Sequence, residues 1–225
     1  MTPSLLIEHV ETSIAKALRH ESFIDESILG LKGFSTGVMR RLFSNLAHLP
    51  KSDPIYLECG LYAGGTFCAA MNNNPRLKAI GVEDYSQDFG DHTIRRQLTD
   101  NFARYSLGTR EAHLVYQDCF TIDLIENGNL EDGESVDMYF FDGEHSFESQ
   151  AKALPAFIDV LSDVFLFIVD DASWVPVRDG TAAGFEELRD RVVVEKKFEL
   201  RGEQPHDDPI WHNGVDIYVC SHNDA

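Results

Sequence analysis

The chain has 225 residues, an ordinary apolar share of 43% and a formal net charge of −19, from 38 acidic and 19 basic residues. That length suits one α/β domain with a short accessory segment, and so acidic an average field disfavours a nucleic-acid backbone as partner. No run approaches the ~20 apolar residues of a membrane span, and the start MTPSLLIEHVETSIAK, with early acids and no basic lead, does not read as a signal peptide.

In chain order, Leu5, Leu6, Val10, Ile14 and Leu18 recur at helical spacing, so the first ~34 residues read as an amphipathic helical segment (1–34) ahead of a main domain (35–225). A second helix is expected over Thr36–Leu49, stopping before Pro50. Strand and helix then alternate: strand Ile55–Glu58, helix from Thr66, strand Lys78–Glu83, helix Asp91–Tyr105, strand Ala112–Tyr116, strand Val136–Phe141, helix Glu148–Leu161, strand Val164–Val169 and helix Gly180–Arg191. Two further strands, Val192–Leu200 and Val215–Cys220, have no helix between them and read as an antiparallel edge hairpin. Continuous apolar strands alternating with helices predict a mostly parallel sheet covered on both faces, with ligands at the carboxyl ends of the strands. The four cysteines, Cys59, Cys68, Cys119 and Cys220, are scattered with no C-x-x-C pair, the usage of a reduced cytoplasmic protein.

Four of the expected strands end in acids: Glu58, Glu83, Asp142 and Asp170. In this fold class those ends share one rim, so the carboxylates converge on one crevice, a repulsion that a cation or a donor-rich ligand relieves. After Glu58 the pattern is E-x-G-x-x-x-G-G-T, with glycines at Gly60, Gly64 and Gly65. It differs from the dinucleotide fingerprint, since a carboxylate ahead of the first glycine repels a pyrophosphate and suits an ammonium group. Glu83 follows 25 positions on, where such folds place an acid on ribose hydroxyls. A nucleoside carrying an amino acid fits both.

These segments, ECGLYAGGT, GVEDY and YQDCF, resemble those of the class I S-adenosylmethionine-dependent methyltransferases, over a core of about Ile55 to Arg191. The resemblance implies a Rossmann-like methyltransferase fold. It implies that Glu58, Gly60 and Gly64 border the methionine moiety, that Glu83 holds the ribose and that Asp118 lies near the adenine amino group. A tight turn at the glycines, a solvated Glu83 and an N-cap role for Asp118 are the plainer alternatives.

Two further segments, FDGEHSF (141–147) and VDDASW (169–174), place Asp142, Asp170 and Asp171 at neighbouring strand ends. Three carboxylates make an oxygen-only site suited to Mg²⁺, with Ca²⁺ or Mn²⁺ as alternatives and Zn²⁺ disfavoured. The arrangement resembles divalent-metal-dependent O-methyltransferases, nearest the macrocin-type enzymes and, in its strand-end acids, the catechol-type ones. On that resemblance Asp142, Asp170 and Asp171 hold the metal, His145 is the general base, and the acceptor is a small molecule. Helix or turn capping is the alternative for His145 and the Asp170-Asp171 pair. The cluster His206-Asp207-Asp208 reads as a mobile polar loop. The Pro-Gly-Gly turn common before the fifth strand of such proteins is replaced by Val160-Leu-Ser-Asp-Val164. A nicotinamide-dependent oxidoreductase and a nucleoside- or partner-binding protein without catalysis stay open as rivals. The sequence carries no signal for oligomeric state, and a homo-oligomer is compatible with it.

Overall fold

The computed structural model describes residues 1–86, 93–204 and 206–223. Strands β1 (Ile55–Cys59), β2 (Lys78–Val82), β3 (Glu111–Val115), β4 (Val136–Phe141), β5 (Leu161–Val169), β6 (Val192–Leu200) and β7 (Val215–His222) form one sheet ordered β3-β2-β1-β4-β5-β7-β6. From β3 to β5 the pairing is parallel. β7 runs antiparallel to both β5 and β6, so the expected hairpin closes the sheet with its second strand innermost. Every residue of β1, β2 and β4 is buried, whereas the edge strands β3 and β6 are largely half-buried or exposed. That difference is why the central strands read as unbroken apolar runs.

Helices α1 (Pro3–Leu18), α2 (Gly37–Ala47), α3 (Gly65–Met71) and α4 (Ile94–Tyr105) supply one hydrophobic cluster, with Leu6, Val10, Phe43, Phe67 and Leu98 packed on the face that carries Tyr56 and Phe140. Helices α5 (Phe147–Phe157) and α6 (Val175–Glu187) cover the other face, against Leu57, Tyr139 and Phe167. Residues 1–34, read as a separate segment, share the first cluster through Leu6, Val10 and Ile28.

Several element boundaries differ from the sequence reading. The N-terminal helix does not run to residue 34: it ends at Leu18, where His20 adopts φ 61° and the amides of His20 and Glu21 bond back to Ala17 and Lys16. A 3₁₀ turn, Glu26–Gly30, follows. Before β5, α5 stops at Phe157 and a 3₁₀ turn over Ile158–Val160 replaces the missing Pro-Gly-Gly; β5 then begins at Leu161. The last helix starts at Val175, not Gly180, because Pro176 falls in the first turn, where its missing N–H has no intrahelical acceptor to lose. Asp91 and His92, the expected start of the fourth helix, lie outside the described residues.

The chain runs outward from β1 to β2 and β3, then returns to the other side of β1 as β4. This reversal parts the loops that leave β1 and β4 and opens a crevice at their carboxyl ends.

Candidate active site

A cleft of about 1070 Å³ opens at that switch point. Its floor is the loop between β1 and α3. Gly60 there has φ +87°, and a Cβ on it would sit 2.0 Å from the carbonyl oxygen of Asp142. Only glycine lets the two strand ends close this tightly. Gly64, at φ 81°, caps α3 in the left-handed conformation. Tyr62, also left-handed at φ 51°, completes a floor that is largely backbone.

Glu58 lies beneath this floor. In β1 the side chains alternate, so Glu58 points to the same face as Tyr56, toward α3. Its carboxylate is fully buried and accepts hydrogen bonds from the hydroxyls of Tyr56 and Thr66. Burial pushes its pKa up to about 8, against those two hydroxyls, with Asp142 and Glu83 adding to the rise. The cleft wall above it is formed by Thr66, so Glu58 reaches the cleft through that hydroxyl.

Glu83, directly after β2, lines the cleft. Its Oε2 accepts the amides of Leu61 and Tyr62, both at 2.8 Å, and its Oε1 accepts that of Tyr85 at 2.8 Å. The glycine loop is thus held to the end of β2 by a carboxylate. Asp118 also lines the cleft and turns its own backbone by accepting the amide of Phe120 at 2.9 Å. Around these two acids stand aromatic groups that the strand-end acids and glycines do not point to. Tyr85 stacks on Tyr116 at 6.0 Å, the Arg95 guanidinium lies 4.5 Å over Tyr116, and Phe120 meets Phe141 at 6.0 Å. The only sequence signal for them was an aromatic residue soon after a strand end, which is too common to stand out.

At the other end, Asp142, His145, Asp170 and Asp171 come together. Asp142 follows β4, and its amide bonds to Cys59 across the switch point. His145 Nε2 lies 3.0 Å from Asp171 Oδ2, out of line for a hydrogen bond, and 3.7 Å from Asp142 Oδ1. Burial opposes a charge on this imidazole, but Asp142 and Asp171 outweigh it and raise its pKa to about 10. Asp171, although desolvated, is held below the usual carboxylate range by His145 and Asn213. Burial, reinforced by Asp142 and Asp171, drives Asp170 well above that range. The Asp142 carboxyl is raised to about 6, chiefly by burial. Its side chain is 31% exposed against 9% for Asp171, so Asp142 is the acid that faces incoming ligand.

The His206-Asp207-Asp208 segment, expected as a mobile loop, is tied to this end of the cleft. Asp208 Oδ1 accepts the amides of Ile210 and Trp211, Asn213 Nδ2 donates to Asp171 at 2.6 Å, and Trp174 Nε1 donates to His206 at 3.2 Å. Asp207, His212 and Trp174 line the wall.

The expected metal set does not fit as placed. Both oxygens of Asp171 face other side chains, His145 and Asn213, and within the trio only Asp170 Oδ1 is buried without a partner. Among the described residues, no group of three or more His, Cys, Asp or Glu side chains is placed to hold a metal ion.

No protein-family model and no curated protein matches the chain. Solved structures do match. An O-methyltransferase from Bacillus cereus, in complex with SAH, has a TM-score of 0.60 at 14% identity over 92% of this chain and 90% of its own. The O-methyltransferase TomG from Streptomyces achromogenes, involved in tomaymycin synthesis and in complex with SAM, has a TM-score of 0.56 at 14% identity over 94% and 89%. A precorrin-6y C5,15-methyltransferase from Geobacter metallireducens has a TM-score of 0.57 at 15% identity over 89% and 97%. The fold is therefore that of the Rossmann-like methyltransferases. Such low identities establish the fold; what this chain does rests on its own site.

Proposed function

We propose that the protein binds S-adenosylmethionine in this cleft and transfers its methyl group to an oxygen of a small molecule. The observation that carries the reading is the floor of the cleft: a largely backbone loop with Glu83 at one end and Asp142 at the other. The Leu61 and Tyr62 amides, which a pyrophosphate would need, already serve Glu83. This argues against a dinucleotide and for a ligand whose hydroxyls approach the acid. With the ribose on Glu83 and the base among Asp118, Phe120 and Tyr85, the sulfonium falls over the glycine loop, toward Asp142.

The sulfonium is already an activated methyl donor, so the protein's task is to align an acceptor hydroxyl and take its proton. The acceptor oxygen forms a bond to the methyl carbon as the carbon–sulfur bond breaks, leaving S-adenosylhomocysteine. Asp142 and Asp171 beside His145 favour its charged form, which makes it a poor proton acceptor as placed. We therefore assign proton acceptance to Asp142, with His145 beside it and Asp171 as a partner of opposite charge. Among the described residues the acids as placed do not form a metal-binding set.

Titration calorimetry with S-adenosylhomocysteine tests the cofactor: micromolar binding is expected, and binding of NADH in its place overturns the reading. Asp142→Asn tests the base. Once an acceptor is in hand, kcat should fall about 10²–10⁴-fold, the usual worth of a general base, while the affinity for S-adenosylhomocysteine stays within about threefold.

A further inference from the structure

Beyond Asp142 the cleft ends in a wall that the transfer step does not use. Three stretches of chain build it: Phe34 ahead of α2, Trp174 ahead of α6, and Asp207 and His212 in the loop between β6 and β7. These stretches are tied together. Thr36 donates to the Ile210 carbonyl, Trp174 Nε1 donates to His206 at 3.2 Å, and Phe34 stacks on His212 at 6.4 Å. Asp207 and His212 hold left-handed backbones, φ 51° and 52°, which residues with side chains seldom adopt. The paired amides and carbonyls of Asp208 and His212 pin that part of the loop.

The wall is aromatic and open. Phe34 is 59% exposed and Trp174 36%, although both line a cleft. Phe34 also meets Tyr62 at 5.2 Å, and Trp174 meets His145 edge-on at 5.3 Å. Aromatic faces left open in a concave site are surface for a ligand to cover. The wall is also acidic. Asp142, Glu144, Asp170, Asp171 and Asp207 line this end, and among the described residues no lysine or arginine does. Its basic groups are His145, beside Asp142 and Asp171, and His212, 3.8 Å from Asp207. Asp170, 7% exposed, keeps Oδ1 buried with no hydrogen-bond partner, an acceptor atom without a donor. Arg95, the arginine that lines the cleft, lies over Tyr116 at the opposite, nucleoside end.

We propose that the methyl acceptor is a hydroxylated amine, taken as its ammonium ion, with the cation held by Asp207 and the open faces of Phe34 and Trp174. The inference rests on the proposed cofactor site and adds the charge of the second substrate. A ring face attracts a cation, most strongly where water is excluded, and a carboxylate beside it adds a charge-assisted bond. The same wall repels an anionic acceptor, because no lysine or arginine offsets its carboxylates. An ammonium has no lone pair, so it binds without competing for the methyl group. The hydroxyl oxygen forms the bond to the methyl carbon as the carbon–sulfur bond breaks, and its proton passes to Asp142.

The test uses ligands that differ in charge. Tyramine, tyrosol and 4-hydroxyphenylacetate share a phenol and end in a cation, a neutral hydroxyl and an anion; glucosamine and glucose are the matching sugar pair. Binding is measured by calorimetry on protein saturated with S-adenosylhomocysteine. In at least one series the amine should bind about tenfold or more tightly than its neutral partner, and 4-hydroxyphenylacetate should not bind measurably. Asp207→Asn and Trp174→Leu should each cut the advantage of the amine to less than about threefold. With S-adenosylmethionine supplied instead, mass spectrometry should place the new methyl group on oxygen. The inference falls if neutral or anionic members bind as tightly as the amines, a comparison on the wild type that needs no variant to fold. It falls if the variants weaken amine and neutral partner alike, if the methyl group appears on nitrogen, or if neither amine binds to protein that holds S-adenosylhomocysteine. Failure to bind S-adenosylhomocysteine at all is a different result: the cofactor reading has then failed, and the inference with it.

Discussion

Gly60 and Glu58 show how much of the site is decided by single side chains. At Gly60 a methyl group would collide with the Asp142 carbonyl and would also have to adopt φ +87°. Gly60→Ala is expected to cost about 3 kcal/mol, the sum of a strained backbone and an overpacked contact, read by chemical denaturation, and to abolish binding of S-adenosylhomocysteine. Glu58 makes a different prediction. Its pKa rises from 4.5 to about 8 on folding, so between those values the folded protein holds a proton that the unfolded chain has released. Stability from this group is therefore full below pH 4.5 and is lost as pH rises toward 8. Denaturation of Glu58→Gln over pH 5–9 should give a flatter profile than the wild type; a difference that does not change with pH would refute the shift. The acids were legible in the sequence by type and spacing. Their protonation was not, because it depends on which face of β1 Glu58 takes and on how closely His145 approaches Asp171.

The elements around the site are held by a few polar ties between distant segments. Thr36 is one of them. It caps α2 by accepting the Met39 amide at 3.1 Å and donates its hydroxyl to the carbonyl of Ile210 at 2.5 Å. One residue thus fixes the start of the helix that bears Arg40 and the loop that carries Asp207 and His212. Thr36→Val should lose about 1 kcal/mol from the cap, measured by thermal melting, and amide exchange should speed up in residues 206–213 as the loop is released. Unchanged exchange there would show that Asp208 and Asn213 suffice to hold it. The Thr36 cap is visible in the sequence, but its bond to Ile210 joins positions 174 apart and has no local signature. The same holds for α1. Its apolar period runs through Leu18, yet nothing local announces that His20 turns left-handed and ends the helix.

Across the whole molecule, the net charge of −19 works against compactness. Salt screens that repulsion, with a Debye length of about 10 Å at 0.1 M. Raising NaCl from about 10 mM to about 0.3 M should therefore raise Tm by roughly 2–4 °C, the shift that about 1 kcal/mol gives in a domain of this size. A falling Tm would mean that the exposed ion pairs, such as Arg191–Asp159 and Lys196–Glu11, outweigh the repulsion. Among the described residues no helix is long and apolar enough to cross a membrane.

The sheet, the glycine turn and the acids at its rim are legible in the order of residues, because they depend on local chemistry: apolar runs of strand length, glycine where the backbone must turn, carboxylates where strands end. Only the folded chain shows that Glu58 lies under the floor, that the 206–213 loop walls the cleft, that His145 sits among the acids, and that Arg40 packs behind two glycines. Each of these is set by desolvation or by contact between residues far apart in the chain, and neither leaves a periodic or neighbouring trace in the order of amino acids.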